Sequence, residues 1–213
     1  MTNVLIADDH ELVREGLHRI LLNSRRFDVV GEAGDGPGTL ELVRSIPAHV
    51  LVLDLSLPGR NGLDLLRQIR KERPDLRILV LTMQAEQQYA VRAFKAGAAG
   101  YLTKACAASE LLAAVSKVAS GGVYVSISMA EQYAQRLYEP ASALPHQRLS
   151  DREFDVFRRI ASGGTITEIA KDLCLSAKTV STYKARILEK MQMPHEAALV
   201  RYAVNQKLFD EDE

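Results

Sequence analysis

The sequence predicts an α/β protein: a doubly wound, five-stranded parallel sheet, followed by a smaller all-α helix-turn-helix domain. Three observations carry this. Short apolar runs alternate five times with segments of helical periodicity between Val4 and Ala119. The runs are continuously apolar, as in strands covered on both faces. After Leu149 only helical periodicity with short loops remains.

The elements follow in order. Val4 to Ala7 is a buried strand stopped by Asp8-Asp9-His10, and Leu12, Val13, Leu17, Ile20 and Leu21 recur at helical spacing. Phe27 to Ala33 is the second strand. Gly34-Asp35-Gly36-Pro37 breaks it, and Leu40 to Ile46 is helical. Val50 to Asp54 is the third strand, Pro58-Gly59 a turn, and Leu63 to Arg73 a helix. Ile78 to Thr82 is the fourth strand and Tyr89 to Ala96 a helix, with Gly97 as its stop. Gly100 to Lys104 is a weaker fifth strand, and Ser109 to Ala119 a helix that ends at Gly121-Gly122. Beyond it, Met129 to Leu137 reads as a helix, and Pro140 and Pro145 bracket a linker. The expected domains are 1–122, a linker over 123–147, and 148–213.

Composition bounds the class. Of 213 residues, 47% are hydrophobic and 25% charged, the proportions of an ordinary soluble globular protein. Basic and acidic residues both total 27, so a nucleic-acid partner must be argued from local charge. Cys106 and Cys174 lie far apart, form no metal-type cluster and read as free thiols, which suits a reducing cytosol. No apolar run approaches the ~18 residues of a membrane span, and the N-terminus lacks the pattern of a signal peptide. The expected location is cytoplasmic, with no membrane partner.

Ligand sites in doubly wound sheets lie outside the carboxyl ends of the strands. Asp8, Asp9, Asp54, Thr82 and Lys104 all fall at those ends, so the fold gathers them into one pocket. One acid at a strand end is commonly a solvated loop residue; five matched residues at the ends of four strands are a site. Three converging carboxylates repel one another, and a divalent cation relieves the conflict. Mg2+ takes oxygen ligands octahedrally. Asp9 and Asp54 are read as direct ligands, Asp8 as a ligand through water, and the backbone carbonyl of Ser56 as a further candidate. Metal and Lys104 together make a positive clamp for a phosphoryl group, to which Thr82 can offer its hydroxyl. Asp54 is the best nucleophile, giving an aspartyl-phosphate.

These residues resemble the receiver domain of two-component response regulators, a flavodoxin-like fold, over Met1 to about Gly122. The acids Asp8-Asp9, Asp54, then Thr82 and Lys104 match in type, order and spacing, and the loop Leu57-Pro58-Gly59-Arg60-Asn61-Gly62 matches as well. The resemblance implies that a sensor histidine kinase, or a small acyl phosphate, donates phosphate to Asp54. It also implies that Thr82 is drawn inward and that Tyr101 acts as an aromatic switch. Ser56 and Gln84 fall where the family tunes hydrolysis. His10 reads as a loop residue, and Cys106 has no partner that would make it reactive.

In the C-terminal part, Ser150 and Glu153 form a capping-box pattern, and Phe154, Val156, Phe157, Ile160 and Ala161 give the first helix an apolar face. Gly163-Gly164 ends it. Thr165 or Thr167 caps a second helix with Ile169, Ala170 and Leu173, and Ser176 caps a third with Val180, Tyr183, Ile187, Leu188 and Met191 on one side. Helix, tight turn, helix at this size is a helix-turn-helix. Eleven basic residues against seven acidic ones between Arg148 and Leu208 make this part mildly basic, and Asp210 to Glu213 reads as a solvated acidic tail. Leu149-Ser150, Arg152-Glu153, Gly163, Ile169-Ala170, Ser176 and Thr179-Val180 resemble the LuxR/NarL/FixJ-type helix-turn-helix. That resemblance makes the third helix the recognition helix on double-stranded DNA. Lys178, Thr179, Ser181, Thr182 and Lys184 are the contact candidates. Ser181 departs from the pattern, since a longer basic residue is common there. The last helix, with Leu199, Val200 and Ala203, looks like the family's dimer-forming element, though these residues serve equally as core.

Both halves point to a regulator of transcription that dimerises on phosphorylation, and not to an enzyme. A phosphatase or phosphotransferase would need a second acid–base residue near Asp54. Ser56 also lacks the carboxylate of haloacid-dehalogenase-like phosphatases. A scaffold without phosphorylation would have no use for Asp54, Thr82 and Lys104 together.

Overall fold

A computed structural model describes residues 1–58, 61–83, 87–126, 144–206 and 208–209. The chain divides into two compact units, Met1–Arg136 and Leu137–Glu213.

The first unit alternates β1 (Thr2–Ala7), α1 (Glu11–Asn23), β2 (Phe27–Ala33), α2 (Gly36–Ser45), β3 (Val50–Leu53), α3 (Gly62–Glu72), β4 (Arg77–Thr82), α4 (Gln87–Ala96), β5 (Gly100–Thr103) and α5 (Ala108–Ala119). All strand pairs are parallel, in the order β2-β1-β3-β4-β5. The order reverses between β1 and β3, which opens a crevice at their carboxyl ends. Every residue of β3 is buried, as the continuously apolar run requires. Side chains alternate across the sheet. Val4, Ile6, Val50, Val52, Leu79 and Leu81 enter one core with Leu17 and Leu21 of α1 and Leu111, Val115 and Val118 of α5. Leu5, Leu51, Leu53, Ile78 and Val80 are buried toward the opposite layer.

The helix starts have local causes. Asp35 caps α2 by accepting from the Gly38 N–H, and Pro37 fits the first turn, where its missing N–H costs nothing. Gly36 and Pro37, expected within the strand-breaking segment Gly34 to Pro37, therefore open the helix. Asn61 caps α3 by accepting from the N–H groups of Leu63 and Asp64. Gly62 follows at a point of close approach, where a Cβ would overlap the backbone of Leu55. Only glycine lets the loop after β3 fold back in this way.

The second unit contains a 3-10 turn (Pro145–Arg148), α6 (Asp151–Ala161), α7 (Ile166–Asp172), α8 (Ala177–Met191) and α9 (Glu196–Asn205). The capping box Ser150–Glu153 is formed, and a second one, Thr165–Glu168, starts α7, so Thr165 and not Thr167 is the cap. Gly163 has φ +84°, a left-handed conformation suited to glycine, just past α6. Phe154, Phe157 and Phe209 pack edge to face around the core, with Val180, Ile187 and Leu199 buried beside them. His146 is fully buried, and its Nδ1 lies 2.8 Å from the Tyr202 hydroxyl. Residues placed by sequence in the linker thus pack into this unit, because a histidine with a hydroxyl partner can be buried.

The expected helix over Met129 to Leu137, Pro140, Gly59 of the expected Pro58-Gly59 turn, Arg60, Gln84, Lys207 and the acidic tail from Asp210 lie outside the described residues.

Gly62→Ala is expected to destabilise the first unit by about 2 kcal/mol or more, since the methyl overlaps backbone rather than a movable side chain. Thermal unfolding followed by circular dichroism checks this, and a melting temperature equal to wild type would contradict the close approach.

Candidate functional site

The carboxyl ends of β1, β3 and β5 place the pocket residues through backbone bonds. The strand ladders run one residue past each strand: Asp8 N–H donates to Ala33 O at 3.0 Å, Asp54 N–H to Ala7 O at 2.8 Å, and Lys104 N–H to Thr82 O at 2.8 Å. Each functional side chain is thereby fixed by the sheet itself, one residue beyond its last apolar neighbour.

Lys104 is the centre of the site. Its Nζ lies 2.7 Å from Asp8 Oδ2 and 2.7 Å from Asp54 Oδ2, and its side chain is only 5% exposed. Burial opposes the ammonium charge, but Asp54 and Asp8 outweigh burial and hold the lysine pKa above its usual value. Asp54 Oδ1 accepts from Ser56 N–H at 3.0 Å, and Asp8 Oδ1 from His10 N–H at 2.9 Å. Asp54 Oδ2 is buried and, despite its ion pair, has no aligned hydrogen bond.

Asp9 is exposed beside them, with His10 Nδ1 at 2.8 Å from its Oδ1. One donor atom from each of Asp8, Asp9, His10 and Asp54 falls within 4.8 Å of all the others. Three carboxylates face one lysine here, so the pocket carries excess negative charge that a divalent cation would neutralise. Carboxylate oxygen donors at this spacing fit such an ion.

The structure brings together Asp8, Asp9, Asp54 and Lys104. Thr82 ends β4, is fully buried, and pairs in register with Thr103, beside Lys104. Ser56 is exposed in the loop after Asp54. Tyr101 is 1% exposed, on β5 opposite Val80. Two neighbours of the acids are missing from the sequence-predicted set. Arg14 donates to the Asp8 carbonyl at 2.6 Å, and His10 lies among the carboxylates instead of standing apart as a loop residue. The adjacency of His10 to two acids was the available signal.

In the second unit, α7 and α8 form the helix-turn-helix. Ser176 caps α8 by accepting from Thr179 N–H, and its hydroxyl also bonds that of Thr179 at 2.7 Å. Lys178, Ser181 and Thr182 are exposed on α8, and Thr182 donates its hydroxyl to the Lys178 carbonyl. Lys184 pairs with Glu196 of α9 at 3.0 Å. Lys190 pairs with buried Glu153 at 2.7 Å, tying α8 to the capping box of α6. Burial raises the Glu153 pKa, but Lys190 and the Ser150 N–H prevail and hold it below the usual carboxylate range. No helix among the described residues is long and apolar enough to cross a membrane.

Comparison with known proteins bears on both units. The family model for the response regulator receiver domain matches residues 4–116, and that for bacterial regulatory proteins of the luxR family matches residues 147–203. The chain is 36% identical to the response regulator GacA of Pseudomonas aeruginosa over 211 residues, covering 99% of each. It is 37% identical to the response regulator UvrY of Escherichia coli K12 over 209 residues, covering 98% of this chain and 96% of UvrY. Among solved structures, RcsB from Salmonella enterica serovar Typhimurium, bound to promoter rprA in the presence of the phosphomimetic BeF3-, superposes with a TM-score of 0.69 at 31% identity. That match covers 96% of this chain and 99% of RcsB. Near full-length identity, with both domain families in the same order, shows that the chain belongs to the two-component response regulators that join a receiver domain to a LuxR-type helix-turn-helix DNA-binding domain.

Proposed function

We propose that the chain is a phosphorylation-controlled transcription factor in which Asp54 is the phosphoryl acceptor. The observation that carries this is the buried Lys104 ammonium shared by Asp54 and Asp8 in a pocket that still holds excess negative charge. A sensor histidine kinase, or an acyl phosphate, presents its phosphorus to a carboxylate oxygen of Asp54. The new oxygen–phosphorus bond forms as the bond to the donor breaks, and the leaving group departs with its electron pair. Asp9, Asp54 and the Ser56 carbonyl, with Asp8 through water, would hold Mg2+, which when bound supplies positive charge against the phosphoryl oxygens.

Lys104 is already placed to follow that charge. Once Asp54 is phosphorylated to the mixed anhydride, its carboxylate charge moves outward onto the phosphoryl group, and the ammonium is drawn after it. Thr82 offers its hydroxyl to a phosphoryl oxygen. Tyr101 is buried in this structure, so phosphate acts by favouring the arrangement that keeps it buried. A ligand shifts such an equilibrium only as far as it prefers one state.

The output is sequence-specific binding of double-stranded DNA by a homodimer, with α8 in the major groove. The solved RcsB–promoter complex supports this role for the chain. Lys178, Ser181 and Thr182 reach outward, while Thr179 is shared with the helix cap and Lys184 with Glu196. The domain limits 1–122, 123–147 and 148–213 remain our assignment, with His146 tied to the last of them.

Two outcomes are expected. With acetyl phosphate and Mg2+, wild type should bind a selected operator at lower protein concentration than without, and Asp54→Asn should show no such gain. Fluorescence anisotropy over a range of protein concentrations reads both; equal curves with and without the donor would refute the coupling. Lys184→Ala should weaken binding about equally on all sequences and reduce the salt slope by about 1, as loss of one phosphate contact does. Glu196→Gln, which frees Lys184, should instead raise affinity. Loss confined to certain base substitutions would make Lys184 a base reader.

A further inference from the structure

β1 and β2 part just past Asp8 and Ala33. The Asp8 N–H is still served by the sheet, donating to Ala33 O at 3.0 Å. In a parallel ladder the next bond would run from the Asp35 N–H to the Asp8 carbonyl. Asp35 has instead left the sheet to cap α2. Arg14, in the first turn of α1, takes that place: its guanidinium donates to the Asp8 carbonyl at 2.6 Å. Nε of the same group lies 3.8 Å from Glu32 on β2, and His18 Nδ1 stands 2.6 Å from the other oxygen of Glu32. The Arg14 side chain is only 20% exposed, so the bond is largely shielded from competing water.

The Asp8 carbonyl belongs to the peptide that joins Asp8 to Asp9. The plane of that peptide decides how the two carboxylates part, Asp8 inward to Lys104 and Asp9 outward to solvent. A bond from a charged donor is roughly twice as strong as the neutral ladder bond it replaces. Here it is made to the main chain rather than to a carboxylate, so it fixes direction without neutralising either acid. We propose that Arg14 is a positioning residue for phosphoryl acceptance: by holding the Asp8–Asp9 peptide it aims both carboxylates at the centre beside Asp54. This rests on the reading of Asp54 as the phosphoryl acceptor. Arg14 forms and breaks no bond to phosphorus, and Glu32, itself paired with His18, orients the guanidinium. A plain staple between α1 and β1 would act differently. Its loss would lower stability and leave the rate of the folded protein unchanged.

Full-length wild type, Arg14→Met and Arg14→Lys separate the two roles. Arg14→Met keeps the apolar stem and loses the donor, whereas Arg14→Lys keeps a charged donor. Adduct formation with acetyl phosphate and saturating Mg2+ is followed by intact mass, and the Asp9 amide by proton–nitrogen NMR with neither reagent present. Arg14→Met is expected to form the adduct about 10- to 100-fold more slowly, the scale of a misplacement of roughly 1 Å. Its Asp9 amide resonance should move. Arg14→Lys should recover most of the rate and of the amide position, with both variants melting near wild type by circular dichroism. A rate for Arg14→Met within about 2-fold of wild type, an unmoved Asp9 amide, or equal slowing of the two variants would overturn the role of Arg14. Should Arg14→Met not fold, Arg14→Gln replaces it. With a neutral donor it is expected to be about 3- to 10-fold slower, and a wild-type rate there overturns the role equally. No adduct on wild type, or equal adducts on wild type and Asp54→Asn, refutes Asp54 as the acceptor and not merely the part of Arg14.

Discussion

The contact on which the first domain's site depends is the buried lysine between two carboxylates. Lys104 stands 2.7 Å from both Asp8 and Asp54, and removing the lysine would leave two buried carboxylates facing each other without a counter-charge. Buried ion pairs add little net stability because desolvation offsets their attraction, but breaking one is costly. Such an arrangement is therefore weak as a device for holding the fold and strong as a device for sensing charge. The sheet carries the cost. Strands β1, β3 and β4 supply continuous apolar burial, and the ladder bonds that run one residue past β1, β3 and β5 deliver the three charged side chains to one place.

The second domain uses charge differently. Glu153 is buried yet has two partners, the Ser150 N–H within its own capping box and the Lys190 ammonium from α8. This pair connects the start of α6 to the end of α8, so α8 is held at both ends: by the Ser176 cap at one and by Lys190 at the other. Lys178, Ser181, Thr182 and Arg186 are left outward between them.

Much of this was legible in the sequence because it follows from pattern. Continuous apolar runs announced the interior strands, and residues at the ends of those runs announced the pocket before any coordinate placed Asp8 next to Lys104. What escaped was whatever depends on a partner far along the chain. His146 reads as a linker residue until Tyr202, 56 positions on, supplies a bond that lets it be buried. Lys184 reads as a simple cation until Glu196 is seen beside it. Gly36-Pro37 reads as part of a break because glycine and proline usually are, whereas the Asp35 cap turns the same residues into the start of a helix. His10 reads as a loop residue until its ring is seen 2.8 Å from Asp9 and 3.5 Å from the Lys104 ammonium.

The central claim is that the carboxylate paired with Lys104 accepts the phosphoryl group. The intact mass of wild type and of Asp54→Asn after incubation with acetyl phosphate and Mg2+ tests it most directly. The account predicts one phosphoryl adduct on the wild type and none on the variant. An adduct of equal yield on Asp54→Asn would contradict it.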